Sequence, residues 1–365
     1  MPKKLRIGIL GATGAVGQNY VKLLQDHPWF EVTDLAASPR SAGKTYAEAV
    51  KERWLMDTPV STELQSLVVR DVNDFSRIPP HVSLFFSATE LDDKVATSDF
   101  EFAYAEKGYP VVSNSSANRW TSDVPMVIPE INADHLDLIR HQQKIRKLPS
   151  DGFVVVKPNC SVQSYLVAIH ALRAAGYPVK GILVNTLQAL SGAGYRGFTA
   201  PEMQATVNPL IPGEEDKTIH EPTKILGKLD ESGIELDSSI KISALCTRVP
   251  VIDGHTALVY MNFEERVPSL DKIKHIWSDF TAYPQKLALP SAPQPPIVFM
   301  DAMDRPQVRL DVDNGAGMAV TIGRLETDNF FDIRFVALSH NTIRGAAGGA
   351  ILTAELLLKL GYITS

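Results

Sequence analysis

Apolar and polar positions alternate in blocks along the first 156 residues. Leu5-Arg6-Ile7-Gly8-Ile9-Leu10 predicts a short strand, and residues 18–25, with Tyr20, Val21, Leu23 and Leu24, predict a helix. Further apolar strands are expected at 30–37, 82–86, 110–112 and 153–156, separated by helical or polar stretches. Strands alternating with helices call for a parallel sheet. Past Val156 the pattern changes. Val162, Tyr165, Leu166, Ile169 and Leu172 follow a helical period. Longer strands are expected at 181–190, 240–251, 256–263 and 318–323, pairing as a mainly antiparallel sheet with helices on one face. Residues 289–296 form a proline-rich connection rather than a domain linker. Residues 341–360 read as one helix, in which Gly345, Gly348 and Gly349 permit close approach to another backbone or a ligand. This helix is expected to dock back on the first domain.

The turn after the first strand is Gly11-Ala12-Thr13-Gly14-Ala15-Val16-Gly17. Strand, glycine-rich turn, helix is the context of a dinucleotide fingerprint, in which missing Cβ atoms let the backbone approach a pyrophosphate at the helix N-terminus. The spacing is G-x-x-G-x-x-G, and the plain alternative is a tight turn. An NAD site would end the next strand with an acid for the ribose 2′-OH. Here it ends Ser38-Pro39-Arg40-Ser41, with Lys44 beyond, and Asp34 lies too early in the strand. A hydroxyl, a guanidinium and an ammonium suit a 2′-phosphate, which favours NADP; the alternative is a solvated basic loop. The fold class is therefore α/β: an N-terminal Rossmann-type domain (1–157 and 341–365) plus an α+β domain with a mainly antiparallel sheet (158–340).

Composition narrows the class. A chain of 365 residues with 44% hydrophobic content has core enough for two domains. Two cysteines argue against a disulfide framework and for a reducing compartment, so a cytoplasmic location is expected. Met1-Pro2-Lys3-Lys4 leads straight into the first strand, leaving no room for a leader. No apolar run approaches membrane-spanning length. A net charge of −6 gives no nucleic-acid footprint, and an anionic substrate would need local cations.

Candidate chemistry centres on Phe153-Val154-Val155-Val156-Lys157-Pro158-Asn159-Cys160-Ser161. A cysteine where a strand turns into a helix tends toward thiolate, the attacking form; the plain alternative is a small buried residue. Cys246, in Ala244-Leu245-Cys246-Thr247, reads as core filler. A proton carrier is needed, and His255 follows Gly254 at a tight turn between strands. Arg248 lies seven residues earlier, and Glu214 to Lys217 open a helical run as an acidic first turn. Leu187-Gln188-Ala189-Leu190-Ser191-Gly192-Ala193-Gly194-Tyr195 is a strand running into a glycine loop.

Together these segments resemble the aspartate-β-semialdehyde dehydrogenases nearly end to end, most strongly the fungal and archaeal branch. The matching pieces are the glycine turn, Ser-Pro-Arg-Ser-Ala-Gly-Lys, Ser-Asn-Ser-Ser, Pro-Asn-Cys-Ser, Leu-Gln-Ala-Leu-Ser-Gly-Ala-Gly, Gly-Glu-Glu-Asp-Lys, Gly-His-Thr and His340-Asn341-Thr342-Ile343-Arg344-Gly345-Ala346-Ala347-Gly348. Glyceraldehyde-phosphate dehydrogenases look like Ser-Cys-Thr-Thr-Asn at the nucleophile and N-acetylglutamyl-phosphate reductases like Pro-Gly-Cys-Tyr; this chain has neither. The resemblance implies NADPH-dependent reductive dephosphorylation of L-4-aspartyl phosphate to L-aspartate 4-semialdehyde, on the way to lysine, methionine and threonine. It assigns Cys160 as nucleophile, His255 as acid/base and Gln188 to orient a thioester. Arg248 would grip the substrate carboxylate and Glu214 its ammonium, with Lys217, Arg119 and Asn159 around the phosphate. Gly11, Thr13, Gly14, Ala15, Val16, Ser38, Arg40, Ser41, Ser87, Ala88, Gly192, Asn341 and Thr342 would bind NADP, with no metal. A homodimer or homotetramer is implied, with part of the second domain's sheet at the interface. The rivals are an archaeal malonyl-CoA reductase of the same fold and a redox-sensing NADP protein without catalysis.

Overall fold

A computed structural model describes residues 4–194, 197, 203, 205–230 and 233–364. The chain separates into two compact units: Met1–Val127 with Asp134–Lys157 and Ala350–Ser365, and Ile128–Ala133 with Pro158–Gly349. Asn341 to Gly349, expected with the first domain, thus belong to the second unit, as do residues 128–133.

In the first unit, β1 (Leu5–Leu10), β2 (Phe30–Ala37), β3 (Arg70–Asp71), β4 (Leu84–Ser87), β5 (Pro110–Ser113) and β6 (Phe153–Val156) form one sheet ordered β3-β2-β1-β4-β5-β6. Every pairing is parallel. β4, β5 and β6 are buried along their whole length, as continuous apolar runs should be when both faces of a parallel sheet are covered. The strand order reverses at β1, which puts the crevice for a ligand at the carboxyl ends of β1 and β4. Asp34 is spent on a buried ion pair with Arg70, Oδ2 to Nη2 2.6 Å, so it is not available to a ribose. The last helix, Gly348–Lys359, is tied into this unit where Glu355 Oε1 meets His27 Nε2 at 2.8 Å. His27 Nδ1 accepts the N–H groups of Trp29 and Phe30, so Nε2 carries the proton given to Glu355.

The second unit holds β7 (Val179–Gln188), a hairpin of β8 (Lys228–Asp230) and β9 (Gly233–Glu235), then β10 (Lys241–Arg248), β11 (His255–Phe263), β12 (Ile297–Met300), β13 (Val320–Thr327) and β14 (Ile333–Ser339). Its six-stranded sheet is ordered β10-β7-β11-β14-β13-β12. The three central pairings are antiparallel and the two outer ones parallel, so the sheet is mixed with an antiparallel majority. β14 has no counterpart among the expected strands, although Ile333, Phe335 and Ala337 are buried and Arg334 and Val336 half-exposed. The buried face takes His255, Ala257, Val259, Met261 and Phe263 from β11. Trp277, from helix Leu270–Asp279, closes this core: its ring lies 5.1 Å from Phe335, and its Nε1 donates to Ala168 O at 2.9 Å.

Residues 341–360 are not one helix. A wide turn spans Ile343–Ala347, broken at Ala346 (φ −139°, ψ −109°), before the helix begins at Gly348. The break is held by a fully buried ion pair: Arg344 Nη2 lies 2.9 Å from Glu130 Oε2, and Nη1 reaches Glu130 Oε1 and Met318 O. Among the described residues no helix is long and apolar enough to cross a membrane.

Candidate active site

In the first unit the glycine turn joins β1 to helix Ala15–Leu24, with Gly14 as the residue before the helix. Gly11 has φ +78°, and a Cβ there would meet Ala88 O at 2.7 Å; a Cβ on Gly17 would meet Gly11 O at 2.2 Å. Gly14 is different. Its φ of −79° is ordinary, and a Cβ would meet only Gly11 O at 3.4 Å. Neither backbone nor packing demands glycine at position 14, which is what close approach of a pyrophosphate would explain. The loop is fixed from behind by Tyr46 Oη donating to Ala12 O (2.9 Å) and Gln18 Nε2 to Thr13 O (3.1 Å). Ala88 N donates to Leu10 O beside it, and Ser87 ends the buried β4. Beyond β2 the chain turns with Ser41 N on Ser38 O (2.9 Å), leaving Ser38 and Arg40 exposed and Ser41 buried. The residues on this unit therefore fit a dinucleotide carrying a 2′-phosphate. Arg119 also belongs to this unit; its Nε donates to Lys157 O and its Nη2 to Asn114 O.

The second unit gathers the chemistry. Cys160 follows Pro158 and Asn159, but it does not open an α-helix: a single turn of 3-10 helix, Val162–Ser164, intervenes before helix Leu166–Ala174. Ser164 Oγ folds back on Ser161 O, and Tyr165 has φ −132°, which interrupts the helical run. The expected dipole of a full helix is replaced by specific neighbours. His255 Nε2 stands 3.4 Å from Cys160 Sγ, while its Nδ1 accepts the Ala189 N–H at 3.1 Å. That backbone bond fixes the neutral ring as the Nε2–H tautomer, directed at sulfur. Burial, then the Arg248 charge, push the His255 pKa down to about 3. The same Ala189 peptide holds Arg248, whose Nη1 donates to Ala189 O at 2.8 Å. Arg248 is 7% exposed, and among the described residues it makes no ion pair. Burial lowers its pKa against the opposing pull of Cys160 and Glu214. A buried guanidinium without a carboxylate is costly, and an incoming anion relieves that cost.

Glu214 is the hub of the other side. It accepts from Lys217 Nζ (2.7 Å), Gln188 Nε2 (3.0 Å) and Asn159 Nδ2 (3.0 Å). Burial raises its pKa, but Lys217 and these hydrogen bonds outweigh it and hold the carboxyl below its usual range. Asn159 Oδ1 meanwhile accepts from Ser161 N and Oγ. Cys160, His255, Gln188, Arg248, Glu214, Lys217 and Asn159 thus form one connected group. Gly192 completes it: a Cβ there would lie 2.5 Å from Arg248 Nη1 and 3.1 Å from His255 Cε1. Tyr195, the end of the glycine loop, lies outside the described residues. Asn341, expected at the cofactor, donates from Nδ2 to Ser191 Oγ and accepts Gly254 N, both at 2.8 Å, bracing the turn before His255. Thr342 Oγ1 faces His340 Nδ1 at 3.3 Å. Cys246 is fully buried beside Thr218, and burial raises its thiol, in keeping with a filler.

Two contributors, Ala189 and Glu221, went unread in the sequence, and a third, Gly345, was read only as a point of close approach. Ala189 acts through its backbone alone and leaves no signal. Gly345 packs on the nucleophile, a Cβ there falling 2.7 Å from Cys160 Cβ; its glycine inside a helical pattern was the visible clue. Glu221 accepts the Asn159 N–H at 2.5 Å and stands seven residues after Glu214 on one helix face.

Comparison with known proteins agrees with both units. Residues 6–139 match the family described as semialdehyde dehydrogenase, NAD binding domain, and residues 169–344 that described as semialdehyde dehydrogenase, dimerisation domain. The aspartate-semialdehyde dehydrogenase of Archaeoglobus fulgidus is 42% identical over 353 residues, covering 97% of this chain and 98% of its own. That of Aspergillus fumigatus is 42% identical over 370 residues, covering 99% of each. The crystal structure of the Candida albicans enzyme with NADP superposes with a TM-score of 0.85 at 36% identity, over 97% of this chain and 98% of that one. A Vibrio cholerae structure (TM-score 0.75, 24% identity, covering 98% and 99%) shares the fold. With catalytic-type geometry in one unit, a glycine cradle in the other, and end-to-end similarity at these identities, the chain belongs to the aspartate-semialdehyde dehydrogenase family.

Proposed function

We propose that this chain reduces L-4-aspartyl phosphate to L-aspartate 4-semialdehyde with release of phosphate, using NADPH and a thioester on Cys160. The observation that carries the reading is the Cys160–His255 contact of 3.4 Å beside the buried Arg248, which makes no ion pair among the described residues. The sulfur attacks the acyl carbon, the bond from that carbon to the phosphate oxygen breaks, and phosphate leaves. When bound, NADPH supplies the hydride that converts the thioester to the thiohemiacetal oxyanion. That oxyanion re-forms C=O as the C–S bond breaks, and the pair of electrons returns to sulfur. His255 donates a hydrogen bond from Nε2–H to the sulfur, favouring the thiolate that attacks and that re-forms when the C–S bond breaks; in the reverse direction thiolate attack on the aldehyde gives the same oxyanion, from which hydride leaves. Arg248, its plane set by Ala189 O, receives the substrate carboxylate. Glu214 receives the ammonium in exchange for part of its contact with Lys217, which turns with Arg119 and Asn159 toward phosphate. Gln188, anchored on Glu214, orients the acyl group. Gly11 to Val16, with Ser87, Ala88, Gly192, Asn341 and Thr342, hold NADP, and Ser38, Arg40 and Ser41 select its 2′-phosphate.

Residues 1–157 with the C-terminal helix make the cofactor domain in this reading, and residues 158–340 the catalytic one. A homodimer or homotetramer is supported by the outer face of the second sheet, where Leu183, Leu187, Leu258, Tyr260 and Val336 are half-exposed and Leu245 is 55% exposed; the cysteine content favours a reducing compartment such as the cytoplasm.

The test is turnover of aspartate semialdehyde with phosphate and NADP, followed by NADPH absorbance. Cys160→Ala should show none while still binding NADP, and Cys246→Ala should stay active. Turnover by Cys160→Ala, or efficient malonyl-CoA reduction by the wild type, would overturn the reading.

A further inference from the structure

The turn that presents Cys160 is held by helix Glu214–Ile225 at three points. Glu214 takes the Asn159 side chain, Nδ2 to Oε2 at 3.0 Å. Glu221, seven residues on and fully buried, takes the Asn159 backbone N–H on Oε2 at 2.5 Å. The third point exists because of Pro222 inside the helix. Proline has no N–H, so the carbonyl four residues earlier, that of Thr218, loses its helical partner. Tyr165 Oη, from the start of the helix after the nucleophile, donates to Thr218 O at 3.3 Å. The helix therefore grips the chain on both sides of Cys160.

We propose that Glu221 is a positioning residue for the nucleophile: its carboxylate fixes the Pro158–Asn159 peptide, one residue before Cys160, so that the sulfur stays aimed at His255 and the acyl carbon. With its N–H on Glu221, its Nδ2 on Glu214 and its Oδ1 on Ser161, Asn159 has every polar group but its carbonyl directed. Loss of the Glu221 acceptor frees the Pro158–Asn159 peptide to rotate and so shifts the backbone that carries Cys160. Asn159 stays tethered to Glu214 through Nδ2, while the sulfur moves relative to His255 Nε2. Effective alignment is steep in distance, and a displacement of about 1 Å can cost about 100-fold in rate. Glu221 touches no reacting atom, so the loss falls on kcat and on thiol reactivity, not on substrate or cofactor affinity.

The inference rests on Cys160 being the nucleophile, and the experiment separates the two. Glu221→Gln keeps an acceptor in place, whereas Glu221→Asp withdraws it by one methylene. Glu221→Asp should lower kcat about 10- to 100-fold, with KM for aspartate semialdehyde and for NADP within about threefold of wild type. The rate of Cys160 alkylation by iodoacetamide should change with it, and its pH profile should shift. Glu221→Gln should restore kcat to within about threefold of wild type. An unchanged kcat and alkylation profile in Glu221→Asp overturns the inference. So does a loss shared equally by Gln and Asp variants, or one expressed in KM. Activity in Cys160→Ala instead overturns the thioester reading, whatever Glu221 does.

Discussion

His255 should make this protein acid-sensitive in a way that one substitution removes. Its ring is fully buried, Arg248 lies close by, and Nδ1 already receives the Ala189 N–H. Protonating Nδ1 would set one N–H against another and bury a second cation. With its pKa at about 3 in the folded protein against 6.5 in the unfolded chain, the unfolded state binds the extra proton throughout that interval. The His255 contribution to stability is therefore complete above pH 6.5 and is lost progressively as pH falls toward 3. At about pH 5 the unfolded ring is favoured by roughly 1.5 pH units, or about 2 kcal/mol at 1.36 kcal/mol per unit. For a unit of this size that is roughly 4–8 °C of melting temperature. The assay compares the fall in Tm between about pH 7.5 and pH 5 in the wild type and in His255→Gln, which has no titrating group. Other groups cancel in the double difference, leaving the wild type to fall further by that amount. In parallel, 13C-labelled histidine spectra should contain one resonance that does not titrate above about pH 5 and is absent from His255→Gln. Equal acid shifts in the two proteins, or a His255 resonance titrating near its unfolded value, would show that the ring is neither as buried nor as fixed as drawn.

Arg40→Ala removes a charge-assisted contact worth about 1.5–3 kcal/mol, so KM for NADP should rise about tenfold or more with little change for NAD; equal use of both cofactors by the wild type refutes the assignment. Glu214→Gln should lower activity on aspartate semialdehyde while Cys160 remains open to alkylation, and indifference to the change would mean that Glu214 does not hold the ammonium. Gly345→Ala puts a methyl 2.7 Å from Cys160 Cβ; overpacking of this kind costs about 1–3 kcal/mol, and kcat should drop in step with the alkylation rate, while wild-type kcat would show that the contact is loose.

The parallel sheet was legible because its strands are unbroken apolar runs with helices between them. The side chains proposed for catalysis could be picked out because each stands at a strand end or turn: Cys160 after β6, Gln188 at the end of β7, Arg248 at the end of β10 and His255 at the start of β11. What stayed hidden was non-local. β14 pairs with β11 and β13, and its alternation is ordinary until those partners are known. The break at Ala346 has no proline to announce it; it follows from the Arg344–Glu130 pair, whose members are 214 residues apart. The helix expected right after Cys160 is delayed by one turn through Ser164 and Tyr165, two residues that a helical period tolerates.

Charge explains why the site is built as it is. An acidic chain must attract a substrate carrying a carboxylate and a phosphate, and long-range attraction is unfavourable at a net charge of −6. The second unit answers with a short-range contrast. Among the described residues Arg248 is buried with its guanidinium on the Ala189 carbonyl and in no ion pair, while Glu214, linked to Gln188 and Asn159, is already paired with Lys217. A ligand bearing both an anion and a cation satisfies the first and exchanges with the second, whereas an anion alone leaves Glu214 and Lys217 paired. Burying a guanidinium that has no ion-pair partner among the described residues costs stability, and in the proposed function a bound carboxylate offsets that cost. Ala189 is the point where that arrangement meets the chemistry, because one peptide group orients both Arg248 and His255. In the proposed function, carboxylate recognition by Arg248 and the aim of the Nε2 proton at Cys160 are thus set by the same backbone turn.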